Sequence, residues 1–428
     1  MIITKNWKIS SLKPVKISTA SYYIFNIILA CTLLNLNGFF YMAFGVGQVF
    51  SPIIYFSMLV IIFLLFISKE KLELNALQKL FLFSLVSFII LSSILYFFYN
   101  QNFSASQAVL LFAYFSSALL FYCSSVLFNR FGVNEFRNIE NFLIVFMIIN
   151  ISMVPLSFFY RSHLINPPLE VARGFGMFAN ANEAGIFCCY SICYFLYKLR
   201  VSNRKIFFSI LILLSWFSAV LTFSKSSIIV GTFTIILYLI FFNSKKSIFF
   251  IAILLPFFFN FDFLMLGNLL DGFGLSNVQQ RRITQTAEII LSGEVNSDTT
   301  SARSILWQKG IDSIASHPFG IGIGELHHFK DFSNDFGEPQ GVHNFFLMVF
   351  GEAGFLVFSL FVFFLMLVFA LSFYRFYFRR LMGAYLTFSI FFVFFVDSIV
   401  GHNVLLVKFN IIFIALALRY FYFDAVKN

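Results

Sequence analysis

Four arginines, one lysine and one histidine stand where an anion could be held and a hydroxyl activated. Arg303 begins Ser301-Ala-Arg-Ser-Ile-Leu-Trp307. A helix start favours an anion, and a guanidinium offers paired donors that match a phosphate. Trp307 lies one turn further on, a ring for a sugar to stack on or an anchor at the membrane interface. Arg173 opens Arg-Gly-Phe-Gly-Met-Phe-Ala-Asn-Ala-Asn-Glu-Ala-Gly185. Gly174 and Gly176 permit tight turns there, and Asn180, Asn182 and Glu183 are placed to cap the next helix. Capping does not account for the arginine. Lys225 sits in Thr222-Phe-Ser-Lys-Ser-Ser227, a turn so short that the ammonium stays at or below a membrane surface. Ionisable groups at that depth are costly and mark function. Arg281 and Arg282 add charge to the segment Ser276–Leu291.

His343 and Asn344 stand at the head of a long apolar run. A neutral imidazole there could take a proton from a hydroxyl near neutral pH, or could simply cap a helix. Glu352 follows nine residues later, about 180° around an ideal helix, so it does not orient His343 directly. It needs a partner of its own, for which Lys225 is expected. His402, after Asp397, is a weaker candidate, while His327, His328, Lys309, Lys330 and Arg161 are expected on solvated loops. His317-Pro-Phe-Gly-Ile-Gly-Ile-Gly324 carries spaced glycines, but a dinucleotide loop needs a preceding strand in a βαβ unit. The segment instead reads as a turn returning to the membrane. No His, Cys and carboxylate spacing suits a metal.

The elements that must position these residues are transmembrane. Of 428 residues 60% are hydrophobic and 11% charged, against about 25% charged in soluble domains. The 68 Phe residues exceed what one aqueous core could bury. Lipid admits only helices or closed barrels, and the apolar runs have the length of spanning helices. The net charge of +10 does not point to nucleic acid, because most Lys and Arg lie in short loops between apolar runs. Cys31, Cys123, Cys188, Cys189 and Cys193 fall inside apolar runs and are expected to pack there. Lys5, Lys8, Lys13 and Lys16 precede an apolar run without a small-residue cleavage site, so no cleavable signal peptide is expected.

Spans are expected at 21–37, 50–68, 79–99, 103–128, 140–160, 182–198, 206–223, 225–242, 247–266, 343–371, 381–399 and 404–422. With residue 1 in the cytoplasm, the cytoplasmic loops hold Lys69, Lys71, Lys79, Arg130, Arg137, Lys198, Arg200, Arg204, Lys205, Lys245, Lys246, Arg375, Arg379 and Arg380. The short outer loops near 40–49 and 100–102 hold no Lys or Arg. This alternation follows the positive-inside rule and puts both termini in the cytoplasm. The fold class is thus an all-α polytopic membrane protein of about twelve transmembrane helices. It divides into 1–266, a large outer loop 267–342, and 343–428. Residues 276–291 and 301–316 of that loop read as amphipathic helices lying over the membrane mouth.

The five motifs around Arg173, Lys225, Arg303, His317 and His343, the last with Gly351-Glu-Ala-Gly354, occur in an order that resembles the O-antigen polymerase and O-antigen ligase superfamily of bacterial envelope proteins. The resemblance covers residues 170–370. It implies a GT-C-like glycosyltransferase of the bacterial inner membrane, needing no nucleotide sugar, no cofactor and no metal. Its partners would be an undecaprenyl-diphosphate-linked oligosaccharide, membrane lipid and a chain-length regulator. Arg173 and Arg303 would hold the diphosphate and His343 would activate the acceptor hydroxyl. Lys225, Arg281, Arg282, Trp307, Asn344 and Glu352 would contribute to substrate binding. Lys225 stands where members commonly carry Arg, and it keeps the charge without the bidentate fork. The His343 and Gly351–Gly354 segments look more like polymerases than like ligases. A lipid-linked oligosaccharide flippase is the rival from another class. Carriers place their ionisable groups near the midplane, whereas these gather at one face.

Overall fold

The apolar runs become helices because a bilayer offers their backbone no other partner. The computed structural model describes residues 19–47, 49–67, 73–100, 104–159, 173–242, 297–327, 329–333, 339–401 and 403–423. In chain order the helices are α1 (Thr19–Leu33), α2 (Leu36–Phe44), α3 (Ser51–Ile67), α4 (Ala76–Tyr99), α5 (Ala105–Arg130), α6 (Val133–Phe159) and α7 (Ala181–Val201). There follow α8 (Lys205–Leu221), α9 (Lys225–Phe242), α10 (Ser297–Ser316), α11 (Phe345–Arg379), α12 (Met382–Val400) and α13 (Lys408–Phe423). Seven of these, α4, α5, α6, α7, α9, α11 and α12, are long and apolar enough to cross a membrane. The chain is a polytopic membrane protein, all-helical among the described residues apart from one small hairpin. Its strands β1 (Phe329–Ser333) and β2 (Pro339–Gln340) pair antiparallel, an element the hydropathy pattern does not reveal.

Every expected span except the ninth falls on a described helix. That ninth span (247–266) lies outside the described residues, as do the amphipathic segment 276–291 with Arg281 and Arg282, and also Arg161, His328 and His402. The first span differs from expectation: it breaks at Asn35, whose φ of 46° is left-handed, and continues as α2. The Asn35 amide donates to Met177 O at 3.4 Å, so the break fits the helix around the segment that follows Arg173. The cysteines behave as expected, all five free and buried.

α7 runs through the middle, packed on α8, α9 and α12, with 78% of its most apolar window buried. Outer helices turn large apolar side chains away from the protein, Phe98 at 84% exposed and Phe66 at 78%. Such surface is stable only against lipid.

Contacts between helix ends sort the chain into two rims. On one, Asn75 donates to Leu418 O, Asn129 pairs with Gln78, Lys198 pairs with Glu140, and Arg375 donates to Phe421 O. On the other, Arg173 reaches Thr222, Tyr96 reaches Gln107, and Lys408 reaches Ser116 and Ser117. The described motif residues all belong to the second rim.

Two helices are interrupted, and neighbours meet the freed backbone groups. Pro155 inside α6 has no N–H for Ile151 O, and Ser218 Oγ donates to that carbonyl at 2.6 Å instead. In α11 the chain leaves helical geometry at Gly354, with φ 80° and ψ 177°. The carbonyls of Gly351 and Glu352 then accept from Ile321 N at 2.8 Å and Gly322 N at 3.0 Å, while Phe355 N donates to Pro318 O at 3.3 Å. The glycine segment 320–324 is therefore the complement of the break in α11. A Cβ on Gly320, itself at φ 97°, would lie 2.8 Å from both Glu352 O and Gly354 N.

A side chain at Gly354 would run into the Phe319 carbonyl from a backbone region that is essentially glycine-only. Gly354→Ala is expected to destabilise the protein by roughly 1–3 kcal/mol, read as a lower melting temperature in detergent. Leu356→Ala, two residues on at a lipid-facing position, should leave that temperature nearly unchanged.

Candidate active site at one rim of the bundle

Arg173 is only 3% exposed, so its charge must be met inside the protein. Nε donates to Thr222 O at 2.7 Å and one terminal nitrogen to Asn182 Oδ1 at 2.5 Å. Thr222 caps the C-terminus of α8, where the helix dipole favours a cation. The segment after Arg173 is held from below: Gly174 N donates to Leu221 O, and Ser157 Oγ receives the N–H groups of Phe175 and Gly176. Asn180 caps α7, as its position in the motif suggested.

Lys225 lies a few residues beyond Thr222 and is the first residue of α9. The turn between them needs Phe223 in a left-handed conformation, φ 49°. A helix N-terminus carries partial positive charge and disfavours a lysine. Lys225 and the N-terminal end of the α9 dipole therefore both favour an anion at this spot.

Three ionisable residues at this rim stood outside the candidate set. Asp397 near the end of α12 accepts from Asn410 Nδ2 at 3.2 Å, and Glu183 in the first turn of α7 lies within reach of its charge. Lys408 at the head of α13 spends its ammonium on Ala113 O, Ser116 Oγ and Ser117 Oγ. The signal for Asp397 and Lys408 was an ionisable residue inside an expected span.

Across the rim, α10 packs on α11 and brings Arg303 into electrostatic contact with His343. His343 is half-buried and left-handed, φ 46°. Burial first, and the Arg303 charge second, push its pKa down to about 4, so the imidazole is neutral at neutral pH. Asn344 caps α11 through Leu347 N at 3.1 Å. Trp307 packs partly buried against the core, its indole nitrogen enclosed.

Glu352 departs from expectation. Its partner is not Lys225: Oε1 accepts Leu326 N at 3.1 Å and faces His327 Nδ1 at 3.4 Å. His327, expected on a loop surface, is 2% exposed, and its Nε2 lies 3.2 Å from Tyr114 Oη. The break at Gly354 draws the glycine segment, and His327 with it, onto this part of α11. Glu352 itself is fully buried, with no surface open to a substrate. Among the described residues no group of His, Cys and carboxylates could hold a metal ion.

The structure thus gathers Arg173, Asn182, Glu183 and Lys225 at the ends of α7, α8 and α9, and Arg303 with His343 where α10 meets α11. A family model described as O-antigen ligase matches residues 210–362. That stretch takes in the Lys225 turn, Arg303, the glycine segment and His343 through Gly354, while Arg173 precedes it. A comparison with curated proteins finds no match. Over residues 210–362, and in the motifs that lie there, the chain is similar to the O-antigen ligase family.

Proposed function

We propose that the protein is a polysaccharide polymerase of the inner membrane. It would move a glycan from undecaprenyl diphosphate to a hydroxyl of a lipid-linked repeat unit at the periplasmic face. Both termini would then be cytoplasmic and the rim carrying His343 periplasmic, which the distribution of Lys and Arg supports. A chain-length regulator is the protein partner this reading implies.

One observation carries the proposal: a neutral imidazole beside a guanidinium at a membrane rim. In the transfer, the acceptor O–H bond breaks and its oxygen bonds to the anomeric carbon. The bond from that carbon to the diphosphate oxygen breaks, and the electron pair leaves with the diphosphate. His343 takes the acceptor's proton, and Arg303 meets the charge that grows on the leaving group. Lys225 and the N-terminus of α9, with Arg173 behind them, favour an anionic headgroup at the same rim. An isoprenoid tail would keep that headgroup at the level of the bilayer surface.

The ligase reading rests on the description of the matched family. A deletion strain separates the two on a gel of surface lipopolysaccharide. Cores carrying a single repeat unit mark a lost polymerase, and bare cores a lost ligase. A flippase would move substrate between leaflets without consuming it.

Purified protein given lipid-linked donor and acceptor should release undecaprenyl diphosphate. Arg303→Ala should lower kcat by roughly 10²–10³-fold, the usual loss when one transition-state donor is removed. Unchanged kcat would take Arg303 out of the mechanism.

The pH profile carries a second prediction. The active form of His343 is neutral, so activity falls as the pH drops through its pKa. That pKa is about 4 in the free enzyme, and kcat/KM reports the free enzyme. The acid limb of kcat/KM should therefore fall near pH 4, well below the ordinary imidazole value of about 6.5. A bound diphosphate offsets the Arg303 charge, so the acid limb of kcat should lie at higher pH. A kcat/KM limb at 6.5 would exclude His343 as the group that titrates.

A further inference from the structure

Glu352 lies inside the bundle, yet stability does not account for it. One carboxylate oxygen, Oε2, meets no donor among the described residues. A buried charge that is only partly met destabilises a fold rather than supporting it. Its other oxygen holds Leu326 N and faces His327 Nδ1. The consequences of that hold run away from Glu352 and towards His343.

Leu326 O accepts the N–H of Val342 at 3.0 Å. Gly341 presses on His327 so closely that a Cβ there would collide with the His327 carbonyl oxygen. Residues 326–327 therefore clamp 341–342, the two residues immediately before His343. His343 keeps a left-handed backbone, which a residue with a side chain holds only when its surroundings impose it. The clamp is itself backed from α5, where Tyr114 Oη lies against His327 Nε2 and donates to Met348 Sδ at 3.4 Å. Leu326 fills the space beside Gly351 that any larger residue would occupy. Glu352 thus reaches His343 through Leu326, His327 and Val342, although His343 precedes α11 and Glu352 lies within it.

We propose that Glu352 and His327 are positioning residues for His343, setting through the 326–327 turn the place from which its imidazole meets the acceptor. This rests on the reading that His343 acts on the acceptor hydroxyl. Neither residue touches substrate in this arrangement.

The test uses the full-length protein in detergent or nanodiscs with lipid-linked donor and acceptor. Glu352→Gln keeps the shape of the side chain but replaces the carboxyl group that holds Leu326 N and faces His327. It should lower kcat about tenfold at a nearly unchanged donor KM, and should move the acid limb of kcat/KM from its wild-type position. A purely structural role would reduce the fraction of active protein and leave the pH limb where it was. Tyr114→Phe removes only the far hydroxyl and should move the limb in the same direction by less. His343→Ala, measured alongside, separates the two levels of the argument. If it stays active, the role given to His343 fails and this inference fails with it. If it is inactive while Glu352→Gln keeps wild-type kcat and pH limb, only the positioning role is overturned. Should Glu352→Gln not fold, an unmoved limb in Tyr114→Phe overturns it equally.

Discussion

Inside a bilayer a broken helix must return its freed backbone groups to the protein, and the rim that carries His343 is built on that requirement. At Gly354 two carbonyls and one amide of α11 lose their helical partners, and the segment from Pro318 to Gly322 supplies all three. Each side of this exchange would be unstable alone. An open glycine segment has no place at membrane depth, and an interrupted helix has none in lipid. Together they bring the chain after α10 back against the bundle. The break at Pro155 works the same way on a smaller scale, with one hydroxyl from Ser218 standing in for the missing amide. It lies beneath the segment that begins at Arg173.

The two cationic halves of the rim are joined through the bundle interior. Phe178, from the segment after Arg173, packs edge-on against Phe409 of α13 at 5.5 Å. Lys408, the preceding residue, is bonded to the turn of α5 from Ala113 to Ser117. Tyr114 within that turn faces His327. A displacement at either half would thus have to be absorbed by buried aromatic and polar contacts, and close-packed interiors absorb little. In the proposed transfer, this coupling would let residues more than a hundred positions apart hold one diphosphate and one hydroxyl in fixed relation.

Much of this was legible in the sequence, for identifiable reasons. Spans were readable because lipid demands long apolar runs, and the grouping of Lys198 with Arg375 on one rim because short loops between spans carry them. The capping role of Asn180 was readable because it depends only on local geometry. The partner of Glu352 was not. From α11 alone a distant lysine was as reasonable as a histidine, and only the backbone exchange at Gly354 brings His327 to it. The kink at Asn35 was hidden for the same reason: the group its amide meets, Met177 O, lies far along the chain. Asp397 and Lys408 could have been flagged, since each is an ionisable residue within an expected span.

The electrostatics of the rim also bear on the order of events in the proposed transfer. In the free protein Arg303 and burial together hold His343 neutral but make it a weak base, with its pKa near 4. A weak base accelerates proton removal poorly, because catalysis by a base improves as its pKa approaches the working pH. A dianionic diphosphate beside Arg303 would cancel the repulsion that burial alone does not explain, and raise the basicity of the imidazole. The charge that Arg303 gives to the leaving group is thus the same charge it withdraws from His343. One arginine would in this way tie the competence of the base to the presence of the donor, with no moving part required.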